Sequence, residues 1–147
     1  YNYFFTDKDV LDITDEDAIK YFIEEHDIDT IINCAAYTDV DKAEKDQINT
    51  DKVNHLAVKY LAQISKEKNI KLIHISTDYV FDGTNHQPYT ETDRVNPQSV
   101  YGRTKLDGEK VLQEINPANS IEIAITSNWL NSLPGLLSMF IYFYCIY

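Results

Sequence analysis

Tyr101 and Lys105 are the pair of side chains in this sequence whose spacing best suits proton transfer. They stand four residues apart in a segment with helical periodicity, so they share one helix face. An ammonium group beside a phenol favours the phenolate and lowers a pKa that is otherwise about 10. Such a tyrosine can act as a general acid or base at a carbonyl or hydroxyl. Because the chain has eleven tyrosines, the pair could equally be an exposed amphipathic helix face.

Small and hydroxyl-bearing residues at two predicted strand ends make the site hypothesis more specific. Ser76 and Thr77 follow an apolar run, where the Thr77 hydroxyl could bind the same substrate oxygen as Tyr101; a turn or cap is the alternative role. The stretch from Asn33 to Thr38 ends the preceding strand with small side chains, which let a ligand approach the backbone. Tight helix–strand packing would explain that stretch equally well.

Strand and helix patterns alternate along the chain and must position these residues. Apolar runs predict strands, and apolar residues at helical spacing predict helices, the first with Thr14 as its N-cap. The predicted strands are 28–36, 70–76 and 121–125, with residues 2–5 as the end of another; the helical segments are 18–23, 53–64 and 99–114. The alternation predicts an α/β fold, a parallel sheet with helices on both faces. In such sheets ligands bind at the carboxyl ends of the strands.

Composition narrows the class of partner. The 147 residues are 44% hydrophobic and 25% charged, enough for one domain with a sizeable core. A net charge of −11 argues against nucleic-acid binding, although backbone N–H groups can still hold a small anion. Cys34 and Cys145 provide no disulfide framework, and Cys34 is predicted to be a buried strand thiol. With no basic segment typical of a signal peptide at the start, we predict a cytoplasmic protein.

The two ends of the chain are unusual. It opens at Tyr1 inside an apolar, strand-like run, from which we expect that upstream sequence is missing. Residues 136–147 are almost all apolar, yet this segment is shorter than the roughly 20 residues that a membrane-spanning helix needs. We interpret it as a buried element, an aggregation-prone segment or the product of a disturbed reading frame. A membrane anchor is the disfavoured alternative, so no membrane partner is predicted.

Three motifs, in this order, closely resemble the dTDP-4-dehydrorhamnose reductase family of the extended short-chain dehydrogenase/reductases. They are the stretches 33–44 (NCAAYTDVDKAE), 76–83 (STDYVFDG) and 101–109 (YGRTKLDGE). The resemblance implies a partial NAD(P)-binding, Rossmann-like domain over residues 1–130 that lacks the first βα unit, followed by an apolar tail over 131–147. It implies NADH or NADPH as cofactor and a dTDP-sugar substrate, dTDP-4-dehydro-L-rhamnose, reduced at C4 to dTDP-L-rhamnose. It allows a homodimer for the full-length family.

The resemblance also assigns roles to residues. Tyr101 would donate the proton to the C4 oxygen, Lys105 would bind the nicotinamide ribose and tune Tyr101, and Thr77 would orient the substrate oxygen. Further substrate contacts are expected from Asp78 and Trp129, and cofactor contacts from Asp12, Ile13, Ala36, Tyr37, Thr38 and Ile75. No metal is implied. Asn54 either supports the site or lies on a solvated helix face.

The sequence departs from the family pattern in three respects. None of the four glycines forms the family's phosphate-binding loop, and the strand that would distinguish NAD from NADP is absent. The run ending in Trp129 lacks the family's arginine. We therefore expect the chain itself to be a truncated, weakly active or inactive piece of a reductase. The alternative is a non-catalytic subunit resembling the β subunit of methionine adenosyltransferase; the intact Thr77, Tyr101 and Lys105 favour the reductase.

Overall fold

The structure is a computed structural model that describes residues 2–125. Its elements, in chain order, are α1 (Glu16–His26), β1 (Thr30–Asn33), α2 (Val40–Ala43), α3 (Gln47–Asp51), a π-helical turn (Lys52–Leu56), α4 (Ala57–Lys68), β2 (Lys71–Thr77), a 3-10 turn (Asp78–Val80), α5 (Val100–Ile115) and β3 (Ser120–Ile125). The predicted alternation of strands and helices is confirmed. The predicted apolar tail and Trp129 lie outside the described residues.

The three strands form a parallel sheet in the order β1-β2-β3, so the predicted Rossmann-like sheet is confirmed. The register places His74 of β2 between Asn33 of β1 and Glu122 of β3. Since all three strands run the same way, Asn33 and Thr77 lie at the same edge. The loops that carry the motifs therefore emerge together, at the carboxyl ends of the strands.

The core fills the space between one face of the sheet and three helices. Leu72 of β2 packs in one buried cluster with Ile70, which precedes the strand, and with side chains from α1, α4 and α5, namely Ile19, Ile23, Val58, Leu61, Ala62, Ile64 and Leu112. Side chains alternate between the two faces of a strand, so Leu72, His74 and Ser76 point towards these helices. The opposite face is open within residues 2–125: Ile32 is 57% exposed and Ile121 61%. Helices α1, α4 and α5 thus lie against one face.

Four local predictions were wrong. Residues 2–5 are not a strand, because no neighbouring strand within the described part of the chain pairs with them. Strand β1 ends at Asn33, whose side chain accepts a hydrogen bond from Ala35 N and starts a turn, so Cys34 is a half-buried loop thiol. The N-cap of α1 is Asp15 and not Thr14, because Thr14 donates to Asp12 instead.

Candidate active site

Lys105, one of the predicted catalytic residues, is buried and held against β2. Helix α5 carries it to the helix-facing side of the sheet, where only 2% of the residue is exposed. Its Nζ donates to the backbone carbonyl of Ile75 at 2.7 Å and lies 3.3 Å from His74 Nε2. A buried ammonium group needs such acceptors, since it has lost its water. These contacts fix Lys105 beside the carboxyl end of β2.

His74 is fully buried and uncharged. Burial, followed by the nearby charge of Lys105, holds the pKa of His74 well below its usual value, and a hydrogen bond with the Asn33 backbone opposes the shift. The second ring nitrogen, Nδ1, lies 3.1 Å from Asn33 Nδ2. His74 therefore links β1 and α5 through β2. Sequence reasoning missed it; the only signal was a polar residue inside an otherwise apolar strand.

Thr77 ends β2 and is 7% exposed. Its Oγ1 accepts a hydrogen bond from Tyr79 N at 3.3 Å, so the capping role considered from the sequence is real. Its contact with Asp78 Oδ1, 3.4 Å, is long for a hydroxyl donor. A hydroxyl has one donor and two acceptor positions, so Thr77 retains capacity for a substrate oxygen.

Tyr101 lies in the first turn of α5 and is half-buried. Its ring packs edge-on against Tyr79, with 5.5 Å between centroids and 75° between planes. Because Thr77 caps the turn that carries Tyr79, the structure brings together Thr77, Asp78 and Tyr101 around one turn, with Lys105 one helical turn further along α5. The residues predicted to transfer a proton thus lie near the same end of β2, and their chemical role stays a prediction.

Two glycines allow α5 to approach this turn closely. A Cβ on Gly102 would collide with the backbone oxygen of Tyr79, and a Cβ on Gly108 with the backbone oxygen of Asn54. Any larger residue would push the helix away. The helix start is held by Ser99, which accepts from Gly102 N, and by Glu44, which accepts from Val100 N at 2.7 Å. Glu44 was missed as a supporting residue, although it belongs to the first motif.

Asn54 supports the site and does not face solvent: its exposure is 0%. It lies in the π-helical turn, a type of helix irregularity found at functional sites. Its Oδ1 accepts from Tyr37 N at 2.8 Å, and its Nδ2 donates to Tyr37 O at 3.2 Å and to Thr104 Oγ1 at 3.1 Å. Asn54 therefore ties the loop after β1 to α5.

Another missed feature is a pair of carboxyl groups near Lys105. Glu109, one turn after Lys105, accepts a hydrogen bond from Ser76. Burial raises the pKa of Glu109, and the bond from Ser76 and the charges of Lys105 and Lys110 oppose the increase. Burial, with repulsion from Glu109, raises the pKa of Glu122 to about 7, although a hydrogen bond from Gln113 and the charge of Lys105 lower it.

The predicted adenine-side residues lie together, away from this group. Asp12 and Tyr37 line a cavity of about 380 Å³, and Ile13 is buried beside it against Val53 and Ala57. The remaining lining residues are Lys8, Thr14, Asp46, Asn49, Lys52 and Val53. Burial opposes ionisation of Asp12, but hydrogen bonds from Thr14 and the charges of Lys8 and Lys52 hold the pKa of Asp12 below its usual value.

The remaining residues predicted to contact the cofactor lie in the loop after β1 and in β2. Ala36 is 6% exposed and Thr38 is half-buried, both in the loop after β1. The side chain of Ile75 alternates with His74 and Ser76 and so lies on the open face, while its carbonyl binds Lys105. Small residues after β1 and the cavity at Asp12 fit an elongated dinucleotide along the carboxyl edge.

Two kinds of feature are absent from residues 2–125. No helix in this part of the chain is long and apolar enough to cross a membrane. No group of three or more His, Cys, Asp or Glu side chains in the same part could hold a metal ion.

Comparison with known proteins identifies related sequences and structures. The family model described as RmlD substrate binding domain matches residues 1–129. A dTDP-4-dehydrorhamnose reductase of Aggregatibacter actinomycetemcomitans is 40% identical over 119 residues, 81% of this chain and 40% of that protein. A probable low-salt glycan biosynthesis reductase of Haloferax volcanii is 44% identical over 107 residues, 73% of this chain and 36% of that protein.

Solved structures of dTDP-4-dehydrorhamnose reductases superpose on this chain. A dTDP-4-dehydrorhamnose reductase from Bacillus anthracis, in complex with NADP, superposes with a TM-score of 0.82 at 33% identity and covers 86% of this chain and 45% of its own. One from Clostridium acetobutylicum gives 0.77 at 43% identity, covering 81% of this chain and 42% of its own. The chain spans less than half the length of these relatives.

Proposed function

The chain belongs to the RmlD substrate binding domain family, and from this premise we propose that the protein carrying it reduces dTDP-4-dehydro-L-rhamnose to dTDP-L-rhamnose with NADH or NADPH. The observation that carries the proposal is the buried Lys105, held by the Ile75 carbonyl one turn from Tyr101. Thr77 and Asp78 complete the group at the end of β2. The names of the relatives support the same reaction.

In the proposed reaction, a reduced nicotinamide bound by the predicted cofactor residues would supply the hydride that C4 of the sugar takes up. Tyr101 donates its phenolic proton to the C4 oxygen, which becomes the hydroxyl of the product. Thr77 donates a hydrogen bond to the same oxygen and keeps it pointed at Tyr101. The Lys105 ammonium stabilises the phenolate that remains and binds the nicotinamide ribose.

The rest of the predicted set would hold the ligands. Asp12 and Ile13 would contact the adenine end, consistent with their place at the cavity, and Ala36, Tyr37, Thr38 and Ile75 would line the cofactor. Asp78 would contact the sugar, as would Trp129. Since the chain is shorter than half of its relatives, the activity is proposed for the intact protein, and the 147 residues alone would turn over slowly or not at all.

The proposal also covers partners and location. The dTDP-sugar is the partner, whereas a net charge of −11 disfavours nucleic acids. The protein would lie in the cytoplasm, without a membrane partner and with Cys34 reduced. A homodimer remains compatible with this function.

Tyr101→Phe in the intact protein tests the proposal. It removes the proton donor but keeps the ring that packs on Tyr79, so we expect kcat to fall by about 100-fold or more. The assay follows oxidation of NADH or NADPH with the dTDP-4-keto sugar. Tyr60→Phe, a matched loss of one hydroxyl at the core boundary of α4, should leave kcat unchanged.

Unchanged turnover in Tyr101→Phe would reject the assignment. A wild-type protein that oxidises no cofactor with the keto sugar, yet binds a partner enzyme and alters its activity, would support the non-catalytic alternative.

A further inference from the structure

We propose that Glu44 is a positioning residue for Tyr101, because its carboxylate connects the loop after β1 to the first turn of α5. Glu44 is the C-cap of α2 and accepts a hydrogen bond from Val100 N at 2.7 Å, across 56 positions of the chain. Val100 is only 2% exposed and immediately precedes Tyr101. The structural claim concerns this chain alone, whereas its kinetic consequence rests on the proposed reductase function.

The motif at 33–44 extends past the residues that are predicted to contact the cofactor, which end at Thr38. The structure shows what the remaining part of the motif does. Asp39 caps α2 by accepting from a backbone N–H of that helix at 3.0 Å, and Ala43 is fully buried. The short helix is therefore fixed in place, and Glu44 at its end meets α5 in a defined position.

Two connections from the loop after β1 reach α5, one on each side of the Tyr101 backbone. Glu44 binds the N–H of the residue before Tyr101. Thr104 Oγ1 donates to the Tyr101 carbonyl at 3.0 Å and accepts from Asn54, which also binds Tyr37 N. Loss of the Glu44 carboxylate would leave only the second of these two connections.

The start of α5 needs acceptors from outside the helix, because the first N–H groups of a helix have no partner within it. Ser99 supplies one for Gly102 N, and Glu44 supplies one for Val100 N. A carboxylate at this end also interacts favourably with the helix dipole. With alanine at position 44, the N–H of the buried Val100 would lose this acceptor, and the first turn would shift. A shift of that turn displaces the Tyr101 hydroxyl, the proposed proton donor.

The experiment compares three substitutions of Glu44 in the intact protein. In Glu44→Ala we expect kcat to fall roughly 10- to 100-fold, the scale of loss that a misplacement of up to about 1 Å causes, with little change in the KM of either substrate. Glu44→Gln keeps an acceptor of the same length and should restore most of the rate. Glu44→Asp keeps the charge but is one methylene shorter, so it should resemble Glu44→Ala. Asp41→Ala is the matched control, since it removes an exposed carboxylate from α2 itself and should leave kcat unchanged.

A spectroscopic measurement does not depend on the reaction. In protein labelled with fluorotyrosine, the fluorine NMR signal of Tyr101 is identified by its loss in Tyr101→Phe. We expect this signal to move in Glu44→Ala and Glu44→Asp, because the first turn of α5 shifts. It should keep the wild-type position in Glu44→Gln and Asp41→Ala.

Two results would each overturn the positioning role. One is a Tyr101 signal that is the same in Glu44→Ala, Glu44→Asp and Asp41→Ala; the other is a kcat that is no lower in Glu44→Ala than in Asp41→Ala. If Glu44→Ala does not fold, Glu44→Asp takes its place in both comparisons. If the wild-type protein has no reductase activity, the proposed function fails, while the fluorine signal still decides the positioning role.

Discussion

The two faces of the sheet carry different kinds of side chain. Towards α5, the strands present Asn33, His74 and Ser76, which are all buried and bonded to one another or to α5. On the opposite face lie isoleucines, with Ile32 and Ile121 more than half exposed. Polar residues near the carboxyl ends of the strands are thus buried on the covered face, beside the apolar core around Leu72, whereas isoleucines line the open face.

This difference indicates which contacts position the side chains of the candidate site. Buried polar groups are tolerated only with partners, and α5 provides them: Lys105 for His74 and Glu109 for Ser76. The isoleucine face needs no partner of a particular kind, only cover, as parallel strands normally have on both sides. Lys105 and Glu109 of α5 are therefore held against this one face, and Lys105 also by the main-chain carbonyl of Ile75.

The first prediction compares how much a side chain on each face of the sheet contributes to the free energy of unfolding. In the 147-residue chain, Leu72→Ala should lower the free energy of unfolding by about 2–5 kcal/mol, because it leaves a cavity in the helix-facing core. Ile121→Ala on the open face should cost less than about 1 kcal/mol, the range of strand propensity. Urea unfolding provides both values. Equal losses would show that the isoleucine face is covered after all.

The second prediction tests the close packing of α5 at its two glycines. Gly102→Ala and Gly108→Ala should each destabilise the fold by about 1–3 kcal/mol, because the added Cβ collides with backbone, and this outweighs a gain in helix propensity of about 1 kcal/mol. Thermal unfolding measures the change. Arg103→Ala, on the exposed side of α5, is the control; alanine at either glycine behaving like this control would contradict the close packing.

The third prediction concerns two groups of the polar face with opposite pH dependence. The pKa of His74 is lowered on folding, so its contribution to stability is lost as pH falls below about 6.5. The pKa of Glu122 is raised from 4.5 to about 7, so its contribution is lost as pH rises through that window. In the wild-type protein, the opposite effects of His74 and Glu122 on the pH dependence of stability partly cancel.

Replacing one of the two groups should expose the effect of the other on the pH dependence of stability. Between about pH 4.5 and pH 7, the free energy of unfolding should increase more with pH in Glu122→Gln than in wild type, and less in His74→Gln. Because Glu122 is only half-buried, we expect changes on the order of 1 kcal/mol. Unfolding free energies across this pH range test the signs, and parallel curves for the two variants would contradict them.

Much of the architecture was predictable because it depends on local patterns. The parallel sheet followed from apolar runs alternating with helical periodicity, and the bounds of α5 followed from Ser99 and the periodic residues after it. Tyr101 and Lys105 were identified because their spacing has a direct chemical meaning. The roles assigned to the site residues stay predictions: Tyr101, Lys105, Thr77, Asp12, Ile13, Ala36, Tyr37, Thr38, Ile75, Asp78 and Trp129.

What the sequence could not reveal depends on contacts between distant segments. The burial of Asn54 follows from its bonds to Tyr37 and Thr104, and the role of Glu44 from its bond to Val100. The strand predicted at residues 2–5 failed for the same reason: an apolar run becomes a strand only when a neighbour satisfies its backbone. Single-sequence periodicity contains no information about such neighbours.

The alternation of side chains along β2 has a consequence for register. Leu72, His74 and Ser76 face the helices only while β2 pairs with β1 and β3 as it does now. A slip by one residue would turn all of them to the open side and present Ile73 and Ile75 to Lys105 instead. Lys105 would then lose the imidazole, and Glu109 its hydroxyl. The alignment of three strands, none of which carries Tyr101 or Lys105, is thus itself a determinant of where the Lys105 side chain can lie.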